Sequence, residues 1–235
     1  MICKKITSFV ASTIKLIIIL LLISETSAEE NNLKKFENDP GILAVMYHRF
    51  DEFKYPSTNI GMKEFKKHIE LVNKFNFEFI NAKNFRKEIL NIDKKKKILL
   101  TIDDAYESFY VNAWPFLKTN EIPFLLFIST EPVGKKGYMS WEQIKEVEKY
   151  DFVTIGNHSH SHEYLINYTH KEFKSDINKS TNIFKNELGY NPNLFSYPFG
   201  EYSLKQKKFI KEKFKFAFGQ QSGVIDLNKD FYELP

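Results

Sequence analysis

The 235-residue sequence predicts an α/β fold: a parallel sheet curled into a distorted or incomplete (β/α) barrel and covered by helices. Three observations carry this. Short, continuously apolar runs recur along the chain, as in strands buried on both faces. Segments of helical period separate them. Polar clusters at 103–104, 157–162 and 198–200 each follow an apolar run, and parallel barrels carry their chemistry at that end of the strands.

The elements follow in order. Ile42–Tyr47 reads as a buried strand. Residues 62–75 place apolar side chains at 62, 65, 69, 72 and 75, a helical stripe. Phe77–Ile80 reads as a strand and 81–90 as a short helix. Ile98–Ile102 is a strand ending at Asp103-Asp104. Residues 106–119 read as helix, kinked or divided at Pro115. Phe124–Ile128 is a strand. The helix over 140–150 opens on a capping box, Ser140 with Gln143. Phe152–Gly156 is a strand ending at Asn157-His158. The helix over 170–188 closes on Gly189. Leu194–Tyr197 is a strand ending at Pro198-Phe199-Gly200, 203–214 is helical, and Phe216–Phe218 is the last strand.

Residues 1–28 read as a secretory signal: Lys4 and Lys5, the apolar run Leu16–Ile23, then Thr26-Ser27-Ala28. Uncleaved, residues 6–24 would serve as a membrane anchor; otherwise the product is exported, periplasmic or extracellular. Residues 29–41 read as a polar linker and 42–235 as the catalytic domain. The only cysteine, Cys3, lies in the signal, so the mature chain has no disulfide, thiolate nucleophile or cysteine metal ligand. With 34 basic and 30 acidic residues, the charge is too balanced for a nucleic-acid surface. The run Lys94–Lys97 reads as a solvated turn before a strand.

Four clusters carry chemistry. Adjacent carboxylates at a buried strand end, Asp103 and Asp104, repel each other and lose hydration. A cation would offset both costs, whereas a helix N-cap pair is the plainer reading. In His158-Ser159-His160-Ser161-His162, a helical start would put His158 and His162 on one face, and an extended segment would line up all three. Two imidazoles and one Asp leave positions open for water or substrate, and a bound ion would bring water toward ionisation at neutral pH. Ser196-Tyr197-Pro198-Phe199-Gly200 shapes a turn able to present a backbone N–H to an oxyanion. His48 follows the first strand and suits a general acid, while His68 and His170 read as solvated.

Together these residues resemble the polysaccharide deacetylase family, the NodB-homology carbohydrate esterases. Thr101-Ile102-Asp103-Asp104-Ala105 resembles its T-F-D-D-G motif, His158–His162 its H-[ST]-x-x-H motif and Ser196–Gly200 its R-x-P-[YF]-G motif. Asn112–Leu117 and Ser140-Trp141 also fit. The resemblance implies Asp103 as catalytic base, with Asp104, His158 and His162 holding a divalent metal, Zn²⁺ by default. It also implies the Phe199 N–H as oxyanion donor. Early Tyr47-His48 resembles the subgroup acting on poly-N-acetylglucosamine, which implies His48 as general acid. The implied reaction removes N-acetyl groups from an amino-sugar polysaccharide. Ser196 stands where the motif has Arg, with Arg49 a candidate substitute. Ala105 replaces Gly, a mild change at negative φ. Glu233-Leu234-Pro235 reads as mid-strand, so part of the fold is expected to be missing. Rival readings are an inactive glycan-binding barrel, a non-haem iron oxygenase and an exported binding protein without chemistry.

Overall fold

The computed structural model describes residues 41–91 and 96–235, so the signal and most of the linker lie outside the described residues. Seven strands run parallel: β1 (Ile42–Tyr47), β4 (Glu78–Phe79), β5 (Lys97–Ile102), β6 (Phe124–Ile128), β7 (Val153–Asn157), β8 (Leu194–Ser196) and β9 (Phe216–Phe218). Antiparallel β10 (Val224–Ile225) completes an eight-stranded sheet in the order β10-β1-β5-β6-β7-β8-β9, with β4 on β5. Arg49–Phe50 (β2) and Asn59–Ile60 (β3) form a separate two-stranded ribbon.

The apolar runs are continuous because both faces are buried. Leu100, Ile102, Leu126 and Ile128 point to one core, while Leu99, Leu125 and Phe127 alternate into another. That second core also holds Ile42 of β1 and Phe216 and Phe218 of β9. Strands at opposite ends of the sheet share one interior, so the sheet curls into an incomplete barrel. The free edge of β9 is covered by the tail: the Gly219 N–H donates to the Leu234 carbonyl and the Leu234 N–H to Ala217.

Helices α1 (Met62–Lys74), α2 (Phe85–Leu90), α3 (Trp114–Thr119), α4 (Trp141–Glu148), α5 (His170–Leu188) and α6 (Leu204–Lys213) cover the outside. Ser140, Thr169 and Ser203 each close a capping box at the start of α4, α5 and α6. Gly189 ends α5 at φ +80°.

The helical reading over 106–119 holds, divided beside Pro115 into a π turn, Phe109–Ala113, and α3, with Pro115 in the first turn of α3. Two readings are corrected. Phe216–Phe218 is not the last strand, since β10 follows and pairs with β1. Lys97 does not sit in a solvated turn: it begins β5, is 6% exposed, and its Nζ donates to Glu88 Oε2 and the Asn91 carbonyl, both at 2.9 Å.

Candidate active site

Every sequence-predicted site residue lies beyond the C-terminal end of a parallel strand: His48 after β1, Asp103 and Asp104 after β5, His158 and His162 after β7, Phe199 after β8. The structure brings Asp104, His158 and His162 together, with one ligating atom from each within 4.8 Å of the others. Asp104 Oδ1 is 3.0 Å from His162 Nε2 and 3.7 Å from His158 Nε2. Ligands about 2.1 Å from a tetrahedral Zn²⁺ stand roughly 3.4 Å apart, so this donor set fits a cation of that size.

His158 is presented in one tautomer. Its Nδ1–H donates to the Ser196 carbonyl at 2.8 Å, so Nε2 turns a lone pair toward the carboxylates. Burial, then the neighbouring His162, lowers its pKa to about 4. His162 goes the other way: burial alone would lower it, but the hydrogen bond and charge of Asp104 raise it above 6.5. Burial would raise Asp104, yet His162, His158 and His48 hold it well below the usual carboxylate range. Asp103 is 1% exposed, its Oδ1 finds no partner among the described residues, and burial plus the charge of Asp104 push it well up. His48 is lowered chiefly by burial, and Asp104 pulls it back up.

The histidine segment is neither helical nor extended. Ser159 (φ +75°) and His162 (φ +55°) turn left-handed, which aims His158 and His162 inward. His160 points away, its Nδ1 2.8 Å from Thr130 Oγ1. Each amide of the segment has an acceptor. The His158 N–H donates to the Ile128 carbonyl and Ser159 to Asn157 Oδ1. His160 donates to Asp176 Oδ1 and Ser161 to Asp176 Oδ2, at 2.8 and 3.0 Å. His162 donates to Ser159 Oγ. Asp176 had no place in the sequence reading. Its signal was a polar residue within the apolar stripe of α5, beside Phe173, Ile177 and Phe184.

Two motif departures resolve physically. Arg49 does not reach Asp103. Its guanidinium stacks between the rings of Tyr55 and Tyr106, 4.0 and 3.4 Å from their centroids, and pairs with Glu52 at 2.5 Å. Tyr106, also missed, has its phenol pushed well up, by burial first and then by the charge of nearby Asp104. Ser196, at the motif's Arg position, and Asp103 border a cavity of about 220 Å³ in the seam between β1 and β9, with Met46 and Gln220. Ala105 is not at negative φ: Asp104 (φ +70°) and Ala105 (φ +53°) are both left-handed, so Ala in place of Gly leaves strain beside the carboxylates.

A family model described as polysaccharide deacetylase matches residues 91–213, more than half of the chain. The chain belongs to the polysaccharide deacetylase family. YxkH of Bacillus subtilis (strain 168) is 26% identical over 204 residues, covering 85% of this chain and 72% of its own. A poly-beta-1,6-N-acetyl-D-glucosamine N-deacetylase of Staphylococcus aureus (strain MRSA252) is 23% identical over 259 residues, covering 92% and 88%. The structure of IcaB from Ammonifex degensii superposes with a TM-score of 0.76 at 24% identity, covering 83% of this chain and 90% of that one. The structural likeness carries the incomplete barrel.

Proposed function

We propose that this member of the deacetylase family hydrolyses N-acetyl groups on an exported poly-N-acetylglucosamine, with Zn²⁺ held by Asp104, His158 and His162. The observation that carries the reading is the shared Asp104 Oδ1 between two imidazoles, beside the buried Asp103, whose Oδ1 has no hydrogen-bond partner among the described residues. A divalent cation there would polarise the acetamide carbonyl and acidify water. Asp103 accepts a proton from the attacking water, whose oxygen bonds to the carbonyl carbon. The Phe199 N–H holds the oxygen that becomes negative. His48 gives a proton to the nitrogen as the C–N bond breaks, releasing acetate and a free amine. The early His48 and the S. aureus relative support a β-1,6-linked polymer. Residues 1–28 would export the chain to that substrate and 29–41 would link the signal to a catalytic domain over 42–235.

The test is acetate release from β-1,6-linked N-acetylglucosamine oligomers, chito-oligomers and peptidoglycan. Release from the first, lost on chelation and restored by Zn²⁺, is expected. No release from any glycan by the Zn²⁺-loaded protein would overturn the reading.

A proton is expected to leave when the cation binds. His162 carries it on the side facing Asp104, and its pKa lies above 6.5. Without metal, that raised pKa contributes stability fully present below pH 6.5 and lost as pH rises through the raised value. With metal the sign reverses: affinity climbs with pH over the same window. Calorimetry in buffers of different ionisation enthalpy would read net proton release on binding at pH 6.5 that fades as pH rises through the raised value. Pure pH-independent affinity between pH 6 and 8 would contradict it.

A further inference from the structure

We propose that Tyr164, stacked on Phe199, is the platform for the sugar unit next to the one that loses its acetyl group. This rests on the deacetylase reading and deepens it. Four rings climb from the buried ligands to the surface. His158 and His162 are 4.9 Å apart, His162 and Phe199 4.9 Å, and Phe199 and Tyr164 3.9 Å at an interplanar angle of 6°. Exposure rises along the same path, to 37% at Phe199 and 51% at Tyr164. Other rings are as open, Phe53 and Phe75 among them; what singles out this pair is its place, with Phe199 packed on His162 beside Asp104.

The shape of the patch selects the occupant. Phe199 covers one face of Tyr164, and with no other ring stacked on it among the described residues Tyr164 remains 51% exposed. Two side chains fall far short of the roughly 800 Å² per partner that a stable protein interface needs. A single pyranose matches their size. In a β-linked N-acetylglucosamine all ring substituents are equatorial, so its axial C–H bonds project from the faces, and an aromatic face is negative. The backbone holds the platform in register: Phe199 sits at φ +58°, ψ 9°, a strained conformation that persists only where packing over-determines it. The same residue would offer its N–H to the reacting acetamide. A ring beside that amide therefore falls on the neighbouring sugar of a polymer.

The experiment compares the Zn²⁺-loaded wild type with Tyr164→Ala and Tyr164→Phe on β-1,6-linked N-acetylglucosamine oligomers of one to five units and on 4-nitrophenyl acetate. Tyr164→Ala is expected to raise KM for trimers and longer by roughly fivefold to tenfold with kcat held, the range of one aromatic stacking contact. Monomer and aryl acetate should be unaffected, and Tyr164→Phe should restore the oligomer KM. Unchanged KM on the pentamer would overturn the platform, as would a parallel loss on aryl acetate, which signals a damaged site. Calorimetric titration of the pentamer separates the two readings. Binding weakened in Tyr164→Ala without turnover in the wild type supports the platform and overturns the hydrolysis. Turnover with equal binding by both proteins overturns the platform alone.

Discussion

Replacing Asp103 with Asn is expected to abolish acetate release while leaving the protein folded and able to bind Zn²⁺. The substitution keeps shape and volume but removes the carboxyl read as the proton acceptor for the attacking water, and a positioned base contributes typically 10²–10⁴-fold. Asp104, His158 and His162 remain, so cation affinity should stay within a few-fold of wild type. Stability should move in the opposite direction to activity. Asp103 is buried, one oxygen lacks a partner, and the charge of Asp104 opposes its ionisation. A carboxyl raised in this way binds its proton more tightly in the folded chain than in the unfolded one, so stability falls as pH rises from about 3.9 toward the raised value. Asn carries no such penalty, and the melting temperature of the metal-free variant should equal or exceed that of wild type at neutral pH. Turnover within tenfold of wild type would remove Asp103 from the proton transfer. A lower melting temperature would show that the carboxyl is a structural contact.

The same carboxyl shows how far the sequence could be read. Asp103 and Asp104, the His158 and His162 pair, and His48 were legible because each follows an apolar run, and the ends of parallel strands converge whatever the loops do. What depends on backbone sign was not. Ser159 and His162 turn left-handed, which is why the histidine segment matches neither regular geometry and His160 faces Thr130. The left-handed φ of Ala105 is equally invisible in a run of letters. Arg49 illustrates a third limit. Proximity in sequence to His48 suggested a partner for Asp103, but two tyrosine faces and Glu52 hold its guanidinium elsewhere. Ser196, at the motif's Arg position, borders a cavity beside Asp103 instead. Partners contributed by distant elements are the hardest to foresee, and Asp176 is the main case.

Asp176→Ala should weaken Zn²⁺ binding by roughly 10- to 100-fold, the usual cost of losing a group that orients ligands from behind. Asp176 comes from α5, yet both its oxygens hold the ligand segment, one at the His160 amide and one at the Ser161 amide. These two amides lie between His158 and His162, the two imidazoles proposed to hold the cation, so they set the separation of those side chains. Alanine would leave the His160 and Ser161 N–H groups without their acceptors, a loss of about 2–6 kcal/mol at 1–3 kcal/mol per group, toward the lower end because the Ser161 amide is only part-buried. Asp176→Asn separates charge from geometry. Its one oxygen can accept from either amide, while its NH₂ faces the other, so affinity and melting temperature should both fall between wild type and Ala. Exposed Ser175 on the same helix is the control, with Ser175→Ala expected to change neither. Chelator competition reads the affinity and thermal unfolding of the metal-free protein reads the fold. A loss of stability with wild-type affinity would make Asp176 a packing residue of α5. Loss of both, graded Ala below Asn below wild type, would place the control of ligand spacing on a helix that touches no ligand side chain.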